Sequence, residues 1–296
     1  MRALSPTAQG IVMMLGAIFL FSTMDAMAKG LSATYDPLQV VWARYAGQTA
    51  VVMLVLAPRL HLLIRTHHLG LQLLRSGLLF AATLCFFTSL SHLEIASATA
   101  VLNVHPMLLT LGAALILKEP LGPRRLIGIG AALFGALLII RPGSDIFSLA
   151  SLLPLAAGIF LASYALATRF LGRDEPILTS FLYTALIGTL VASLLVPTAW
   201  QAPPPIDALL FLVLGTVGAV GQFLLIRSLT VAEAGAVAPF GYAGVVFATL
   251  YGVIFYGETP DALSGLGALV IIGAGVYVWH RETRARQAEV KAPAAR

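Results

Sequence analysis

Apolar stretches of about 20 residues alternate along this chain with short segments that carry charged residues, Pro and Gly. A transmembrane helix needs about 20 apolar residues to cross a hydrocarbon core roughly 30 Å thick, and breaks in hydropathy mark helix ends. The pattern therefore predicts an all-α membrane protein with ten transmembrane helices. We expect these helices at residues 8–28, 37–57, 71–91, 95–117, 123–140, 147–169, 177–197, 206–227, 234–256 and 261–280.

Composition agrees with a chain that is dissolved mostly in lipid. Of the 296 residues, 59% are hydrophobic and 10% are charged, whereas soluble proteins have about 45–50% apolar and about 25% charged residues. Outside the ten helices, about 80 residues remain for loops and tails, which leaves no room among these residues for a separate soluble domain. The single Cys85 cannot form an intrachain disulfide.

The positions of the basic residues predict an orientation. If the N-terminus is cytoplasmic, 15 of the 18 Lys and Arg residues fall in cytoplasmic segments, Lys29 and Arg141 fall on the other side, and Arg44 lies inside the second helix. Such asymmetry across short loops is the positive-inside signal. We therefore expect both termini in the cytoplasm, and we interpret the net charge of +5 as topology and lipid contact rather than nucleic-acid binding.

The two halves of the sequence match when one is shifted by 139 residues. The shift aligns Ser89-Leu90 with Ser228-Leu229, Glu119 with Glu258, and Gly128 with Gly267. Five helices per half would invert the second copy, and inverted repeats are common in secondary transporters, with the substrate site between the repeats. We expect a 5+5 inverted repeat with boundaries at 1–143 and 144–283, followed by a basic cytoplasmic tail at 284–296.

Several motifs resemble the EamA family of the drug/metabolite transporter superfamily. They are Leu117-Lys118-Glu119-Pro120-Leu121-Gly122, Phe255-Tyr256-Gly257-Glu258-Thr259-Pro260, Ile139-Ile140-Arg141-Pro142-Gly143 and Ala238-Pro239-Phe240-x-Tyr242. The resemblance spans about residues 8–283. It implies a carrier of the bacterial inner membrane with a central cavity, in a family that exports amino acids and other metabolites and also imports S-adenosylmethionine or riboflavin.

Arg44 and Asp25 are charged residues inside predicted spans, where charge is costly and marks functional sites. In one interpretation Arg44 binds a substrate carboxylate and Asp25 helps to release it, with Asp25 as a candidate for ion coupling. In the other, the two residues form a structural ion pair between helices 1 and 2. Both interpretations remain open from the sequence.

Helix 4 carries Asn103, His105 and Pro106 near its middle. Pro106 cannot donate a hydrogen bond to the carbonyl of Leu102, so this carbonyl is expected to be free for a ligand. His105 is a candidate for proton coupling or, alternatively, a neutral hydrogen-bonding strut. Asn103 aligns with Tyr242, and we expect the two to line a shared cavity.

The remaining candidates are spread over both halves. Tyr164, Tyr183 and Gln222 are expected to join Arg44, Asn103, His105 and Tyr242 in binding substrate, Tyr183 because it aligns with Arg44. Pro106, Glu119, Pro239 and Glu258 are expected to have structural or gating roles, since an acid at a span end can bind a neighbouring helix terminus.

These features favour a secondary transporter that moves amino acids or related compounds, in the export direction, by alternating access. An importer of a larger metabolite such as S-adenosylmethionine or riboflavin is the alternative, and an intramembrane enzyme or sensor is an alternative of a different class. The sequence has no HExxH, no G-x-S-x-G and no Cys/His cluster, so we expect no enzyme activity, metal or cofactor. The expected partners are a small-molecule substrate, the lipid bilayer and protons as coupling ion, in a monomer or homodimer.

Overall fold

The structure is a computed structural model that describes residues 5–118, 122–144, 147–171 and 175–291. Within these ranges the chain is entirely helical, with no strand, which confirms the predicted all-α fold. The helices are α1 Pro6–Ser32, α2 Pro37–Leu56, α3 Leu60–Leu63, α4 Leu69–Leu90, α5 Ile95–Leu102, α6 His105–Ile116, α7 Pro123–Ile140, α8 Leu153–Leu171, α9 Ile177–Leu195, α10 Pro205–Val231, α11 Ala234–Val237, α12 Ala243–Tyr256 and α13 Ala262–Lys291.

The helices have the length and hydropathy that a membrane requires. In the described part of the chain, eight helical segments are long and apolar enough to cross a membrane, and Arg125–Ile140 is a shorter apolar helix. The protein is therefore a multi-pass membrane protein. The number of ten crossings and the cytoplasmic location of the termini stay predictions.

Helix packing relates the first half of the chain to the second. Helix α1 packs along α10, and α4 packs along α8. Under the 139-residue offset α1 corresponds to α8 and α4 to α10, so these two pairs are equivalent. Helices α2 and α9, which correspond to each other, also pack together. This arrangement is the one expected when two related halves surround a common axis.

Helices α7 and α13 cross closely because glycines stand at their contact. A Cβ atom on Gly135 would lie 2.7 Å from the carbonyl oxygen of Gly267, and a Cβ on Gly267 would lie 2.6 Å from that of Gly135. Both distances are shorter than a van der Waals contact, so glycine is what lets the two backbones approach. The two glycines therefore hold α7 and α13 in close contact.

The fourth predicted helix of each half is interrupted. In the first half, α5 ends at Leu102 and α6 begins at His105, because Pro106 removes a backbone donor at the start of α6. In the second half, α11 is followed by a 3₁₀ segment, Ala238–Tyr242, that contains Pro239 and leads into α12. Irregular backbone at this depth is tolerated where it lines a cavity.

The last helix is longer than the expected 261–280. Helix α13 continues to Lys291, so most of the predicted basic tail at 284–296 continues this helix. Residues 292–296 lie outside the described residues.

Candidate functional site

A cavity of about 690 Å³ lies between helices of both halves. Its wall is mainly apolar, with aromatic side chains that include Phe21, Phe86, Phe87 and Phe181. Its volume falls within the range of about 300–1,000 Å³ that is typical of small-molecule sites. Polar and charged side chains interrupt this apolar wall, among them Asp25, Arg44 and Arg75, and they determine which polar groups of a solute the cavity accepts.

The cavity reaches only one face of the helix bundle. We call the face at which α1 begins the N-terminal face. At this face the lining extends to Ile177, the first residue of α9, and to Leu229, two residues before the end of α10. Toward the opposite face the lining ends at Phe87 of α4 and Thr99 of α5. The cavity lining therefore reaches helix ends at the N-terminal face and does not include Lys29 or Glu258 at the other.

An ion pair between Lys29 and Glu258 links helices at the opposite face. Lys29 Nζ lies 2.7 Å from Glu258 Oε1 and donates hydrogen bonds to the carbonyl oxygens of Leu90, at 3.0 Å, and Leu93, at 2.6 Å. Glu258 Oε2 accepts a hydrogen bond of 2.9 Å from the backbone N–H of Ile95. The pair thus ties the end of α1 to the α4–α5 turn and to the end of α12. Glu258 thus binds the N-terminus of α5, and its structural or gating role stays a prediction.

Arg44 projects from α2 into the cavity and is held on one side only. Its Nη1 donates to Thr83 Oγ1, and its guanidinium carbon lies 4.9 Å from the ring centre of Tyr45 and 5.8 Å from that of Phe87. Its Nε is buried and has no hydrogen-bond partner in the described structure. Asp25 lines the same cavity, yet among the described residues no cationic side chain comes within 4 Å of it. The structure therefore does not contain the direct ion pair that one interpretation expected.

Arg75 is a cavity residue that the sequence analysis missed. It was counted among the cytoplasmic loop charges, but it lies in the second turn of α4 and is 6% exposed. It donates to Thr168 Oγ1 at 2.7 Å, to the Ser180 carbonyl at 3.0 Å, to Thr184 Oγ1 at 3.1 Å and to Tyr164 Oη at 2.6 Å. These bonds occupy both terminal nitrogens and Nε, so Arg75 joins α4 to α8 and α9. A polar stripe of Gln72, Arg75, Ser76 and Thr83 at helical spacing is the signal that would have revealed it.

The interruption between α5 and α6 places Asn103, His105 and Pro106 in the cavity wall. Asn103 Nδ2 donates to the carbonyl of Thr99 at 2.9 Å. The ring Nδ1 of His105 lies 3.2 Å from the carbonyl oxygen of Leu102 and donates to it in the tautomer protonated at Nδ1. The expectation that the Leu102 carbonyl is free for a ligand is thus wrong in this structure, because the side chain of His105 reaches it.

Tyr164, Gln222 and Tyr242 also lie in the cavity wall. The hydroxyl of Tyr164 accepts the hydrogen bond from Arg75. The ring of Tyr242 packs against Gly275 of α13, where a Cβ atom would overlap its hydroxyl. Tyr242 therefore lines the cavity with its ring while its hydroxyl points toward α13.

One predicted substrate-binding residue, Tyr183, lies outside the cavity wall, and the positions of Pro239 and Glu119 concern the predicted structural or gating roles. Tyr183 does not line the cavity: its hydroxyl donates to the carbonyl of Ile64 at 2.8 Å, beside the connection between α3 and α4. Pro239 sits in the 3₁₀ segment, whose neighbours Ala238 and Gly241 line the cavity instead. Glu119 lies outside the described residues. In the described ranges no group of three or more His, Cys, Asp or Glu side chains is arranged to hold a metal.

Comparison with known proteins agrees with this architecture. The model of the EamA-like transporter family matches the chain twice, at residues 8–141 and 148–279. A crystal structure with 21% sequence identity shares the fold, with a TM-score of 0.63 over 94% of this chain and 99% of that chain.

Several curated relatives are named as transporters. A riboflavin transporter of Vibrio cholerae is 30% identical over 95% of this chain and 96% of its own length. A pseudopaline exporter of Pseudomonas aeruginosa is 29% identical over 90% of this chain and 94% of its own. An S-adenosylmethionine uptake transporter of Rickettsia prowazekii is 23% identical over 95% of this chain and 96% of its own. The relatives thus include both an exporter and an uptake transporter.

Proposed function

The chain belongs to the EamA-like transporter family, and we propose that it is a secondary carrier that exports an amino acid or a related metabolite by alternating access. In this proposal the substrate binds in the central cavity between the two halves. The halves then move relative to each other and open the cavity to the opposite side. The carrier resides in the bacterial inner membrane and acts without a cofactor or catalytic step.

The observation that supports this proposal best is a cavity that reaches one face only. A channel needs a path open to both faces, whereas a carrier has a site that is exposed to one side at a time. Here the cavity lining extends to Ile177 at the N-terminal face and ends at Phe87 and Thr99 before it reaches the Lys29–Glu258 pair. With the N-terminus in the cytoplasm, as the distribution of Lys and Arg predicts, this conformation is the one that loads an exported substrate.

The substrate class follows from what faces the cavity. Arg44 offers unused donors, and an arginine fork matches the geometry of a carboxylate. The apolar and aromatic wall suits a hydrophobic portion of the same molecule. The volume of about 690 Å³ exceeds what a small amino acid fills, which favours a bulky amino acid or an amino-acid conjugate.

Import of a larger metabolite such as riboflavin is the second candidate function. It is favoured by the 30% identity to the riboflavin transporter over nearly the whole chain and by a cavity with several aromatic side chains. A flat ring system could stack on those side chains without using Arg44.

The proposal also includes protons as the coupling ion and a monomeric or dimeric carrier.

Counterflow in proteoliposomes tests the proposal. The full chain is reconstituted in liposomes that contain an unlabelled solute, and entry of the labelled solute is followed for L-phenylalanine, L-methionine, S-adenosylmethionine and riboflavin. The variant Ala82→Trp places a large ring in the cavity wall, where Ala82 is 4% exposed. The matched control is Phe134→Trp, which adds an indole on the outer surface of α7.

The expected result is saturable entry of an amino acid or of S-adenosylmethionine, reduced at least tenfold by Ala82→Trp and unchanged by Phe134→Trp. Entry of riboflavin alone would favour the second candidate. If no labelled solute entered above the level of protein-free liposomes, or if Ala82→Trp had no effect on entry, the carrier mechanism through this cavity would be refuted.

A further inference from the structure

We propose that Asp25 and Arg44 together form a site for a zwitterionic head group, in which the ammonium of an amino acid binds Asp25 and its carboxylate binds Arg44. This inference rests on the proposed transport function and specifies the substrate class of the same cavity. It predicts that the carrier selects solutes that carry both charges on neighbouring atoms.

The hydrogen bonds around Thr83 fix the position of the Arg44 guanidinium. The Thr83 hydroxyl donates its one proton to the carbonyl of Leu79 at 2.9 Å. Its oxygen therefore accepts from Arg44 Nη1 and from the hydroxyl of Tyr45, which lies 3.1 Å away. A guanidinium has five N–H donors; Arg44 Nη1 donates to Thr83, the Tyr45 side chain lies beside the guanidinium, and the buried Nε has no hydrogen-bond partner in the described structure. The remaining donors can bind a carboxylate.

The carboxylate of Asp25 can likewise accept hydrogen bonds from a ligand. It lines the cavity, and no residue of the described structure donates a hydrogen bond to its carboxylate or forms an ion pair with it. A carboxylate accepts hydrogen bonds but cannot donate them. An ammonium group, with three donors, is a ligand that would satisfy it.

The two charges lie at the same depth. Asp25 stands seven residues before the end of α1 at Ser32, and Arg44 stands seven residues after the start of α2 at Pro37. Both are therefore about 10 Å from the helix ends at the closed face, at 1.5 Å per residue. Their charged groups are more than 4 Å apart and both line the same cavity, so both are available to one dipolar ligand.

Charge balance favours a zwitterion over a solute with a single charge. A cation would leave Arg44 without a counter-ion, and an anion would leave Asp25 without one, and an unpaired charge in a low-dielectric site is costly. Arg75, the other cavity arginine, does not compete, because Tyr164, Thr168, Ser180 and Thr184 already accept its hydrogen bonds. Only the Asp25 and Arg44 side chains combine opposite charge with unused hydrogen-bonding capacity in this cavity.

The rest of the substrate would extend toward the N-terminal face. Thr83, which holds Arg44, and Arg75 are eight residues apart on α4, which is about 12 Å along the helix. The wall between them includes Leu79 and Ala82. We therefore choose L-phenylalanine as the probe, because its ring matches this apolar wall.

The experiment is counterflow of labelled L-phenylalanine in proteoliposomes that contain the full chain. Competing solutes are unlabelled L-phenylalanine, 2-phenylethylamine, which lacks the carboxylate, and 3-phenylpropanoate, which lacks the ammonium. Labelled riboflavin is measured in parallel. We expect each analogue with a single charge to compete at least tenfold more weakly than L-phenylalanine.

Two variants test the role of each side chain. Asp25→Asn is expected to weaken competition by L-phenylalanine at least tenfold and to make 3-phenylpropanoate the stronger competitor. Arg44→Gln is expected to favour 2-phenylethylamine in the same way. Arg227→Gln and Glu233→Gln remove equivalent charges from exposed positions outside the cavity and are expected to preserve the original order of competitors.

A merely structural role for Asp25 and Arg44 would lower exchange or folded yield without changing this order, and that outcome would overturn the zwitterion site. Exchange of riboflavin without exchange of L-phenylalanine would also overturn it, while transport itself would stand. Absence of exchange for every solute would refute the proposed function, and the zwitterion site with it.

Discussion

Neutralising Glu258 tests whether the Lys29–Glu258 pair keeps the cavity closed at the face opposite the N-terminus. The variant Glu258→Gln retains the shape of the side chain and an oxygen that can accept the hydrogen bond from Ile95 N. It removes the charge that attracts Lys29 across 2.7 Å. Lys29 keeps its bonds to the carbonyls of Leu90 and Leu93, so the change is confined to one contact.

The size of the effect follows from the burial of the pair. The Lys29 and Glu258 side chains are only 13% and 17% exposed, so solvent screens their contact weakly. A hydrogen bond to a charged group contributes about 1.5–3 kcal/mol. Because each 1.4 kcal/mol is a factor of ten, we expect the equilibrium between closed and open states of this face to shift by about 10- to 100-fold toward the open state.

Thiol labelling measures this shift. Thr99 lines the end of the cavity nearest the closed face, and Cys85 is the only cysteine of the chain. In a Cys85→Ala background, Thr99→Cys is exposed to a membrane-impermeant maleimide from the face opposite the N-terminus. The labelling rate is expected to rise by about 10- to 100-fold when Glu258→Gln is added.

Glu94→Gln is the matched control, since Glu94 lies on the same face and bonds only to Ser97 Oγ in the described structure. This variant should leave the labelling rate unchanged. Equal labelling of the Glu258→Gln and parent proteins, or a lower melting temperature with no change in labelling, would refute a gating role for the pair.

Three further predictions concern stability, each measured by thermal unfolding in detergent. Arg75→Lys should lower the free energy of unfolding by about 2–4 kcal/mol, because a lysine cannot replace the fork of hydrogen bonds to α8 and α9 and leaves buried acceptors unpaired; preserved stability would contradict the assigned network. Gly135→Ala should destabilise by about 1–3 kcal/mol, because its Cβ would lie 2.7 Å from the Gly267 carbonyl, whereas Gly130→Ala, with no atom within 4 Å of the added Cβ, should be neutral or stabilising. The hydrogen bond from Arg141 lowers the pKa of Asp261 to about 2, so this group stabilises the fold above pH 4 and the contribution is lost as the pH falls toward 2. The side chain of Asp261 is half exposed, so the effect should be only about 1–3 °C in melting temperature; a variant Asp261→Asn that shows the same acid dependence as the parent would contradict it.

The helical fold could be predicted because each transmembrane helix needs about 20 consecutive apolar residues. Helix ends fall where Pro, Gly and charge interrupt the apolar pattern, as at Pro37, Pro123 and Ile140. The interruption near Pro106 followed from the missing backbone donor. The sequence pattern did not predict that the side chain of His105 reaches the carbonyl of Leu102. This contact forms because the chain turns between α5 and α6, and the turn depends on tertiary packing.

The site was predictable where a polar residue stood alone in an apolar span, and it was missed where charge lay near a predicted helix end. Arg44 was found in this way, whereas Arg75, which lies near the start of the predicted helix 71–91, was counted with the cytoplasmic charges, although it is buried in the second turn of α4. Tyr183 was placed in the cavity by its alignment with Arg44. The halves differ locally there, because the hydroxyl of Tyr183 bonds to Ile64, and sequence alignment does not report which way a side chain points.

Alternating access predicts that the cavity reaches one face of the membrane at a time, and thiol labelling from each face measures this. Ser22 lies in the cavity wall and is 4% exposed, so a single thiol from Ser22→Cys in the Cys85→Ala background reports which face reaches the cavity. In proteoliposomes without substrate, we predict reaction with an impermeant maleimide from the N-terminal face. With a transported solute on both sides, reaction from the opposite face should rise while reaction from the N-terminal face falls. Labelling from one face under all conditions, or a simultaneous rise in the labelling rate from both faces, would contradict alternating access.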